Sequence, residues 1–349
     1  MSKDSAPKKS RLKLFLTIAT LLILVGLIYG LRKDVGGVIE NLGKVNAFAL
    51  LLLIPLEMLN YDAYSRLYRR LFATLGEKVD YWPLYRLTLE LNFMNHILPS
   101  GGVSGISYFT VRMRSLGVSG SKATLAQVLR MFLLYASFQP LLILGLFLLA
   151  ARGHVNSLVL VVASSLITLL VIGTLLSIYV IGSRQRINSV LTYITRIINW
   201  LVHLVRRNNP QIINIEKAQT TFDELHDNYQ IFKHRWRELK MPLVYMTIAN
   251  VTEVAAVYVV YIAFGHLVNV GAVILAYAVA NFAGLISVLP AGIGIYEGLM
   301  TAVLAATGIS PSLSLPVTIM YRVLNMTLQL LPGYVFYQDA VHKGLSKKV

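Results

Sequence analysis

Four charged residues lie deep inside apolar segments of this sequence: Glu57, Glu253, Arg130 and Arg322. At a rise of about 1.5 Å per residue in a helix, each falls roughly 12 to 18 Å into its segment. That depth is near the middle of a bilayer core about 30 Å thick, where a charge costs roughly 2.5–3.5 kcal/mol on insertion scales. Residues of this kind indicate either ion pairs that hold a membrane protein together or a site that handles a charged group.

Two acids and two bases predict two ion pairs, Glu57 with Arg130 and Glu253 with Arg322. The glutamates are explained equally well as structural or as functional residues. For the arginines a function is favoured, because a planar guanidinium binds two phosphate oxygens at once, although the ends of these side chains can also snorkel toward the membrane surface. Arg130 and Arg322 are therefore candidate contacts to a lipid headgroup.

Two proline–glycine breaks in apolar regions supply a second kind of candidate site. The first break is residues 98–102 (Leu-Pro-Ser-Gly-Gly), and the second is residues 289–294 (Leu-Pro-Ala-Gly-Ile-Gly). A helix ends at such a break, and the helix that restarts turns free N–H groups and its positive dipole end toward it. The predicted anion contacts at the two breaks are Ser100, Gly101, Gly102, Ser104, Gly292, Ile293 and Gly294.

Further polar residues lie beside these breaks. Glu297 falls in the first turn of the restarted helix, where a capping role is favoured over a role in proton coupling. The helix before the first break carries polar residues that could simply satisfy broken backbone: Glu90, Asn92, Asn95 and His96. Glu90 matches Asn281, since each lies nine residues before the proline of its break.

The elements that must position these residues are membrane-spanning helices. Of the 349 residues, 56% are hydrophobic and only 14% are charged, against roughly 25% charged residues in soluble domains. Apolar runs of about 18 or more residues are long enough to cross a bilayer. The sequence predicts six spans, the first of them uncleaved because no cleavage site follows it: residues 12–31, 46–67, 122–151, 155–182, 241–265 and 311–338.

The interrupted regions, 81–116 and 270–308, are predicted to be re-entrant hairpins, because the arms beside each break are short. A full crossing at residues 271–289 is the alternative. Most of the 32 lysines and arginines lie in segments that this arrangement places on one face. The positive-inside rule then orients both termini and the loop 183–240 to the cytoplasm. The predicted fold class is an all-α polytopic membrane protein.

An internal repeat relates the two halves of the chain. Several residue pairs are 191 positions apart, and after one inserted residue others are 192 apart: Pro99 and Pro290, Gly101 and Gly292, Gly117 and Gly308, Ser119 and Ser310, Ser121 and Ser312, then Arg130 and Arg322, Pro140 and Pro332. Three crossings lie between the hairpins, so the second copy is inverted. Inverted repeats with broken helices are typical of transporters, whose binding sites lie at the breaks. A static relic of gene duplication is the alternative.

These boundaries predict a single membrane domain, 1–349, with a first repeat at 46–151, the loop at 183–240 and a second repeat at 241–338. Within the loop, an amphipathic pattern at residues 194–205 predicts a helix on the membrane surface or, equally well, a solvated connector.

Motifs for chemistry are missing from the sequence. It has no cysteine, and its seven histidines show no metal-ligand spacing. No phosphate-binding loop or nucleophile motif is present either. We expect no catalytic residue, metal or cofactor. The net charge of +16 is explained by the residues that flank the spans and not by nucleic-acid binding.

Three stretches resemble the transmembrane region of lysylphosphatidylglycerol synthases, which is the flippase-like domain of multiple peptide resistance factors, and its stand-alone relatives. They are residues 95–102, residues 288–298 and Tyr321-Arg322, and the resemblance extends over about 12–338. It implies movement of a lipid with a polar headgroup between leaflets. The acid that often follows the first glycines in this family is missing from residues 103–107. Since the chain ends soon after its last span, no aminoacyltransferase domain or synthase activity is expected.

The combined prediction is lipid translocation of the flippase or scramblase type, with a phosphate-bearing headgroup passing the hairpin tips. The expected partners are membrane lipids, either an anionic phospholipid or an isoprenoid-linked lipid, and a homo-oligomer is compatible with the sequence. The expected location is a bacterial inner (plasma) membrane. The alternative function is a non-transporting scaffold or assembly partner of a lipid- or envelope-glycan-synthesising enzyme.

Overall fold

The computed structural model describes residues 45–97, 103–151, 157–190, 215–286 and 294–344, with single residues at 43, 153, 192, 193, 196 and 292. In these ranges all regular secondary structure is helical. The predicted span 12–31 and the loop pattern at 194–205 lie outside the described residues, apart from Arg196 in the latter. The helices are α1 Ala47–Leu50, α2 Leu53–Thr74, α3 Tyr81–Ile97, α4 Val103–Ser115, α5 Gly120–Ala150, α6 Ser157–Ile181, α7 Ile215–His234, α8 Lys240–Ala263, α9 Val270–Ile286, α10 Ile295–Ala306 and α11 Pro311–Gly344.

Four helices in the described part of the chain are long and apolar enough to cross a membrane. They confirm four of the predicted spans, and they cover Ala47–Thr74, Gly120–Ala150, Ser157–Val180 and Trp236–Ala263. The last predicted span is the 34-residue helix α11. The apolar sequence of this helix is interrupted by buried polar residues, among them Arg322, Asn325 and Gln329. The fold is therefore an all-α polytopic membrane protein.

Each interrupted region forms two short helices packed against each other, α3 with α4 and α9 with α10. The first arms have 17 residues each, and the second arms have 13 and 12. At about 1.5 Å per residue the second arms are only about 18 to 20 Å long. These arms are too short to cross a bilayer core about 30 Å thick. Short arms of this kind are what a re-entrant hairpin needs.

The turn that leads out of each hairpin is built in the same way in both halves. It begins at Gly117 after α4 and at Gly308 after α10, with φ values of 87° and 90°. This left-handed conformation is common after the last turn of a helix and favours glycine. Two serine hydroxyls then lie within hydrogen-bond distance, 3.1 Å apart in Ser119 and Ser121 and 2.9 Å apart in Ser310 and Ser312.

The helix contacts have the same pattern when followed from either half. The long helices α2 and α8 pack directly against each other, and each first hairpin arm packs against the last helix of the other half, α3 on α11 and α9 on α5. The helix backbones approach closely both where α3 packs on α11 and where α9 packs on α5. A Cβ at Gly333 would lie 2.7 Å from the carbonyl oxygen of Leu89, and a Cβ at Gly145 would lie 3.3 Å from the carbonyl oxygen of Gly271.

The outer elements are α6 and the loop helix α7, and both lie against α5. Helix α6 exposes large apolar side chains along its length, as a helix surrounded by lipid does: Leu158, Leu160, Val161, Leu169, Ile172, Leu175 and Leu176. Helix α7 buries Phe232 and places Asp227 in an ion pair with Arg184. Its Asn228 donates to the hydroxyl of Ser121 at 3.4 Å, which connects the loop to the start of α5.

Candidate functional site

Arg322 is paired with Glu297, at the point where α10 begins after the second break. Nη1 of Arg322 donates to Oε1 of Glu297, and the two side chains are only 9% and 13% exposed. The other carboxylate oxygen, Oε2, accepts the N–H of Gly294 at 2.7 Å. The ring of Tyr296 lies beside the guanidinium, with its centroid 4.7 Å from Cζ. Glu297 therefore caps α10, as expected, and also neutralises Arg322.

The predicted pair of Glu253 with Arg322 is wrong. The residue on α11 that reaches Glu253 is Tyr321, whose hydroxyl donates to Oε2 at 2.8 Å. Successive residues of a helix point about 100° apart, so Tyr321 and Arg322 face different neighbours. Arg322 faces α10, which immediately precedes α11 and packs against it. An acid at the start of the preceding helix, in the second hairpin, therefore takes the pair.

Arg130 on α5 has a different environment. Its Nε donates to Oε1 of Gln127 at 3.1 Å, and Cζ lies 6.0 Å from the centroid of the Tyr64 ring. Gln127 also accepts a hydrogen bond from Tyr68 at 3.3 Å. None of the ion pairs formed among the described residues includes Arg130, so its predicted partner Glu57 does not reach it.

Glu57 and Glu253 instead share one buried polar network where α2 crosses α8. Asn60, one turn after Glu57, donates through Nδ2 to the hydroxyl of Thr252 at 3.0 Å, with Oε1 of Glu253 at 3.4 Å. Gln329 on α11 donates to Oε1 of Glu57 at 3.1 Å. The two carboxylates lie close enough to interact electrostatically. The predicted pair with Arg130 fails because the packing of α2 on α8 turns Glu57 toward the second acid.

Several members of this network were not predicted from the sequence, and Tyr321 was named only as part of the family resemblance. Three of them recur every four residues along α11, Tyr321, Asn325 and Gln329, and so form one buried polar stripe. The hydroxyl of Tyr321 accepts from Asn325 at 3.3 Å. Asn60 follows Glu57 by three residues, which also places it on the same helix face. Polar residues at spacings of three or four inside apolar segments were the signal that could have identified them.

Glu90 joins the two arms of the first hairpin. Its carboxylate accepts from Arg112 on α4 through Nε at 2.8 Å and Nη2 at 3.1 Å. The hydroxyl of Tyr108 donates to the same carboxylate at 2.7 Å. Since Glu90 is 1% exposed, this two-point ion pair satisfies a buried charge, and it gives Glu90 a structural role within the hairpin.

The residues predicted at the breaks are only partly described. Ser100, Gly101 and Gly102 lie outside the described residues, and so does the side chain of Ser104. Gly292 and Gly294 have positive φ values of 64° and 85°, which explains the glycines. The N–H of Gly294, predicted to bind an anion, donates to Glu297 in this structure. In the first hairpin, the amide of the exposed Asn95 lies against Gly105 and would have to move if a Cβ were added there.

One protein family matches nearly the whole chain. The sequence profile described as the lysylphosphatidylglycerol synthase TM region matches residues 14–333. The chain belongs to this family. The match includes every residue of the candidate site, from Glu57 to Gln329.

Curated relatives resemble the chain at low identity. A UPF0104 membrane protein of Methanocaldococcus jannaschii is 21% identical over 341 residues, which is 93% of this chain and 95% of the relative. A UPF0104 membrane protein of Pyrococcus horikoshii is 22% identical over 242 residues, 69% of this chain and 72% of its own. One of Methanothermobacter thermautotrophicus is 25% identical over 134 residues, 37% of this chain and 39% of its own. The chain is thus similar to membrane proteins along nearly its whole length.

The two repeat-related arginines of this family member differ in what surrounds them. Arg322 is neutralised by Glu297, which begins the helix after the second break. The corresponding stretch after the first break, residues 103–107, contains no acid. Arg130 therefore has amide and aromatic neighbours but no carboxylate among the described residues. An arginine in such surroundings is suited to binding an anion from outside the protein.

Proposed function

We propose that this protein moves a lipid with a phosphate-bearing, anionic headgroup between the leaflets of its membrane, as a flippase or scramblase. Arg130 is the observation that carries the proposal. It lies in the 31-residue apolar helix α5, and its neighbours Gln127 and Tyr64 supply hydrogen-bonding and aromatic contacts without neutralising its charge. Arginine stays protonated at all physiological pH values, so this positive charge is permanent.

A lipid phosphate that crosses a bilayer must exchange its hydration for protein donors, because an unpaired charge at that depth is expensive. The planar guanidinium of Arg130 can supply two donors to one phosphate. Short hairpins on the opposite halves of the molecule would bring irregular backbone to the same depth, which occurs in membrane proteins where it lines a cavity. The family description, which names a region of a lipid synthase, also connects this chain with lipid.

The test is leaflet exchange of fluorescent phosphatidylglycerol in proteoliposomes. Arg130→Ala should abolish exchange, and Arg130→Lys should impair it although the charge is kept, because lysine cannot bind two oxygens in a fixed plane. Arg66→Gln is a matched control, since it removes an arginine from an exposed pair with Asp62. Exchange at the wild-type rate by folded Arg130→Ala protein would contradict the assignment of Arg130.

A scaffold for a lipid- or envelope-glycan-synthesising enzyme is the competing function. The ion pairs Glu90–Arg112 and Glu297–Arg322 favour it, because they fix both hairpins in place. Wild-type protein that exchanges neither anionic phospholipid nor isoprenoid-linked lipid would support this function over transport. Neither function includes a catalytic step.

The proposal places the protein in an inner or plasma membrane, with both termini in the cytoplasm. It also treats residues 46–151 and 241–338 as inverted repeats, with the loop 183–240 on the cytoplasmic face. The matched turns at Gly117 and Gly308 and the reciprocal packing of the hairpin arms support this division. The absence of Lys and Arg from residues 265–311 supports a location of the second hairpin on the outer face.

A further inference from the structure

Two carboxyl groups inside the helix bundle, the buried Glu57 and the half-buried Glu253, remain outside the roles given above. Glu57 is 5% exposed and accepts from Gln329, while Glu253 accepts from Tyr321 and lies beside Asn60. Neither acid is in an ion pair with any residue that the structure describes. Both lie on helices long and apolar enough to span a membrane.

The groups that face this pair from the surrounding helices are neutral. They are tyrosines, which come from α2, α3, α9, α10 and α11: Tyr61, Tyr64, Tyr85, Tyr277, Tyr296 and Tyr321. The two mid-span arginines are engaged elsewhere, Arg322 by Glu297 and Arg130 by Gln127 and Tyr64. His96, on α3, is close to Arg322 and hydrogen-bonds the carbonyl of Asn92.

The carboxyl group of Glu57 lies next to a tyrosine hydroxyl whose hydrogen bond can run in either direction. Oε2 of Glu57 and the hydroxyl of Tyr61 have no well-placed hydrogen-bond partner among the described residues. The two groups nevertheless lie close enough to interact. A carboxylate can only accept hydrogen bonds, whereas a protonated carboxyl group is also a donor. The hydroxyl of Tyr61 can donate to Oε2 when Glu57 is ionised or accept from it when Glu57 is protonated, so this position accommodates both states.

We propose that Glu57 and Glu253 form a proton-binding site that holds one proton between them at neutral pH. Two ionised carboxylates that interact within a helix bundle, with no cation paired to either among the described residues, repel each other and lose most of their hydration. Two carboxyl groups in that situation share one proton, and the titration belongs to the pair. The proton is taken from water and returned to water, so no other reactant is required.

The pair is attached to the helix that carries Arg322. Gln329 and Tyr321 on α11 bond Glu57 and Glu253 respectively, and the next residue, Arg322, bonds Glu297 on the second hairpin. Loss of the shared proton leaves both carboxylates able only to accept hydrogen bonds, and it adds a negative charge next to α11. The next step rests on the proposed lipid transport. The connection to α11 makes the proton the coupling ion, so that its uptake and release accompany movement of α11 and the second hairpin.

Infrared spectroscopy tests the proton site without any transport assay. Wild-type protein in lipid at neutral pH should show the C=O stretch of a protonated carboxyl group, identified by its shift on 13C-glutamate labelling, which leaves lipid carbonyls unchanged. The double variant Glu57→Gln/Glu253→Gln should lose the band, and each single variant should shift or remove it. Glu90→Gln is the matched control, because Glu90 is equally buried but neutralised by Arg112, and it should leave the band in place.

Absence of the band from wild type, or a band unaffected by both single variants, would overturn the proton site. Coupling is tested by imposing a pH gradient on proteoliposomes. Wild type should then distribute fluorescent phosphatidylglycerol unequally between leaflets, and Glu57→Gln should lose that asymmetry. Exchange with no effect of the gradient overturns coupling and leaves the proposed transport standing. If wild type exchanges no lipid, the transport function fails, while the infrared band still decides the proton site.

Discussion

Asn60 on α2 donates a hydrogen bond of 3.0 Å to the hydroxyl of Thr252 on α8. This hydrogen bond joins the two halves of the chain where α2 packs directly against α8. The neighbouring acids Glu57 and Glu253 lie at this crossing, while Arg130 and Arg322 lie on α5 and α11.

The Glu297–Arg322 pair should contribute to stability. Glu297→Gln removes the carboxylate that neutralises a buried guanidinium, and loss of one partner of a buried pair costs roughly 3–5 kcal/mol. Thermal unfolding in detergent should show this loss, and the double variant Glu297→Gln/Arg322→Gln should recover part of it. The exposed pair of Arg66 with Asp62 gives the control, because Arg66→Gln should lower the free energy of unfolding by less than about 1 kcal/mol. Strict additivity of the two single effects would reject the pair.

Arg130 should matter more for lipid binding than for stability. No carboxylate in the described part of the chain is paired with it, so Arg130→Gln should lower the melting temperature less than Arg322→Gln. A ligand that binds the folded state raises the melting temperature. Phosphatidylglycerol should therefore raise that of wild type more than phosphatidylcholine does, and Arg130→Gln should lose the difference. An unchanged response of Arg130→Gln to phosphatidylglycerol would argue against a headgroup site there.

The close contact of α11 with α3 predicts intolerance of a side chain at Gly333. A Cβ there would lie 2.7 Å from both the carbonyl oxygen of Leu89 and the Cβ of Phe93. Gly333→Ala should therefore cost about 1–3 kcal/mol through overpacking. At Gly298 on α10 a Cβ would meet nothing within 4 Å, so Gly298→Ala should be neutral or stabilising by up to about 1 kcal/mol. Equal melting temperatures for the two variants would contradict the packing.

Topology can be measured directly, because the protein contains no cysteine. Lys233→Cys on α7 and His266→Cys after α8 both replace exposed residues. A membrane-impermeant thiol reagent should label the first from the cytoplasmic face and the second from the outer face. Labelling of both positions from one face would show that α8 does not cross the membrane, and the inverted arrangement of the halves would then fail.

Several features followed from the sequence because they depend on local composition. A helix crosses a membrane when enough consecutive residues are apolar, so the spans that became α5, α6 and α8 could be recognised without tertiary information. The breaks at Pro99 and Pro290 follow from the missing N–H and the fixed φ of proline. The matched turns at Gly117 and Gly308 were detectable as a repeat, since each requires a residue that adopts positive φ.

Which charges meet was decided only by the tertiary structure. Every candidate pair had to be chosen from acids and bases at similar depth, and depth does not say which neighbour a side chain faces. Helix rotation sends Tyr321 to Glu253 and Arg322 to Glu297, although the two residues are adjacent. The packing of α2 directly on α8 brings the two acids together and leaves Arg130 among tyrosines and Gln127. The depth of a residue along a helix can be read from the sequence. Which neighbour its side chain faces depends on how the other helices pack around that helix.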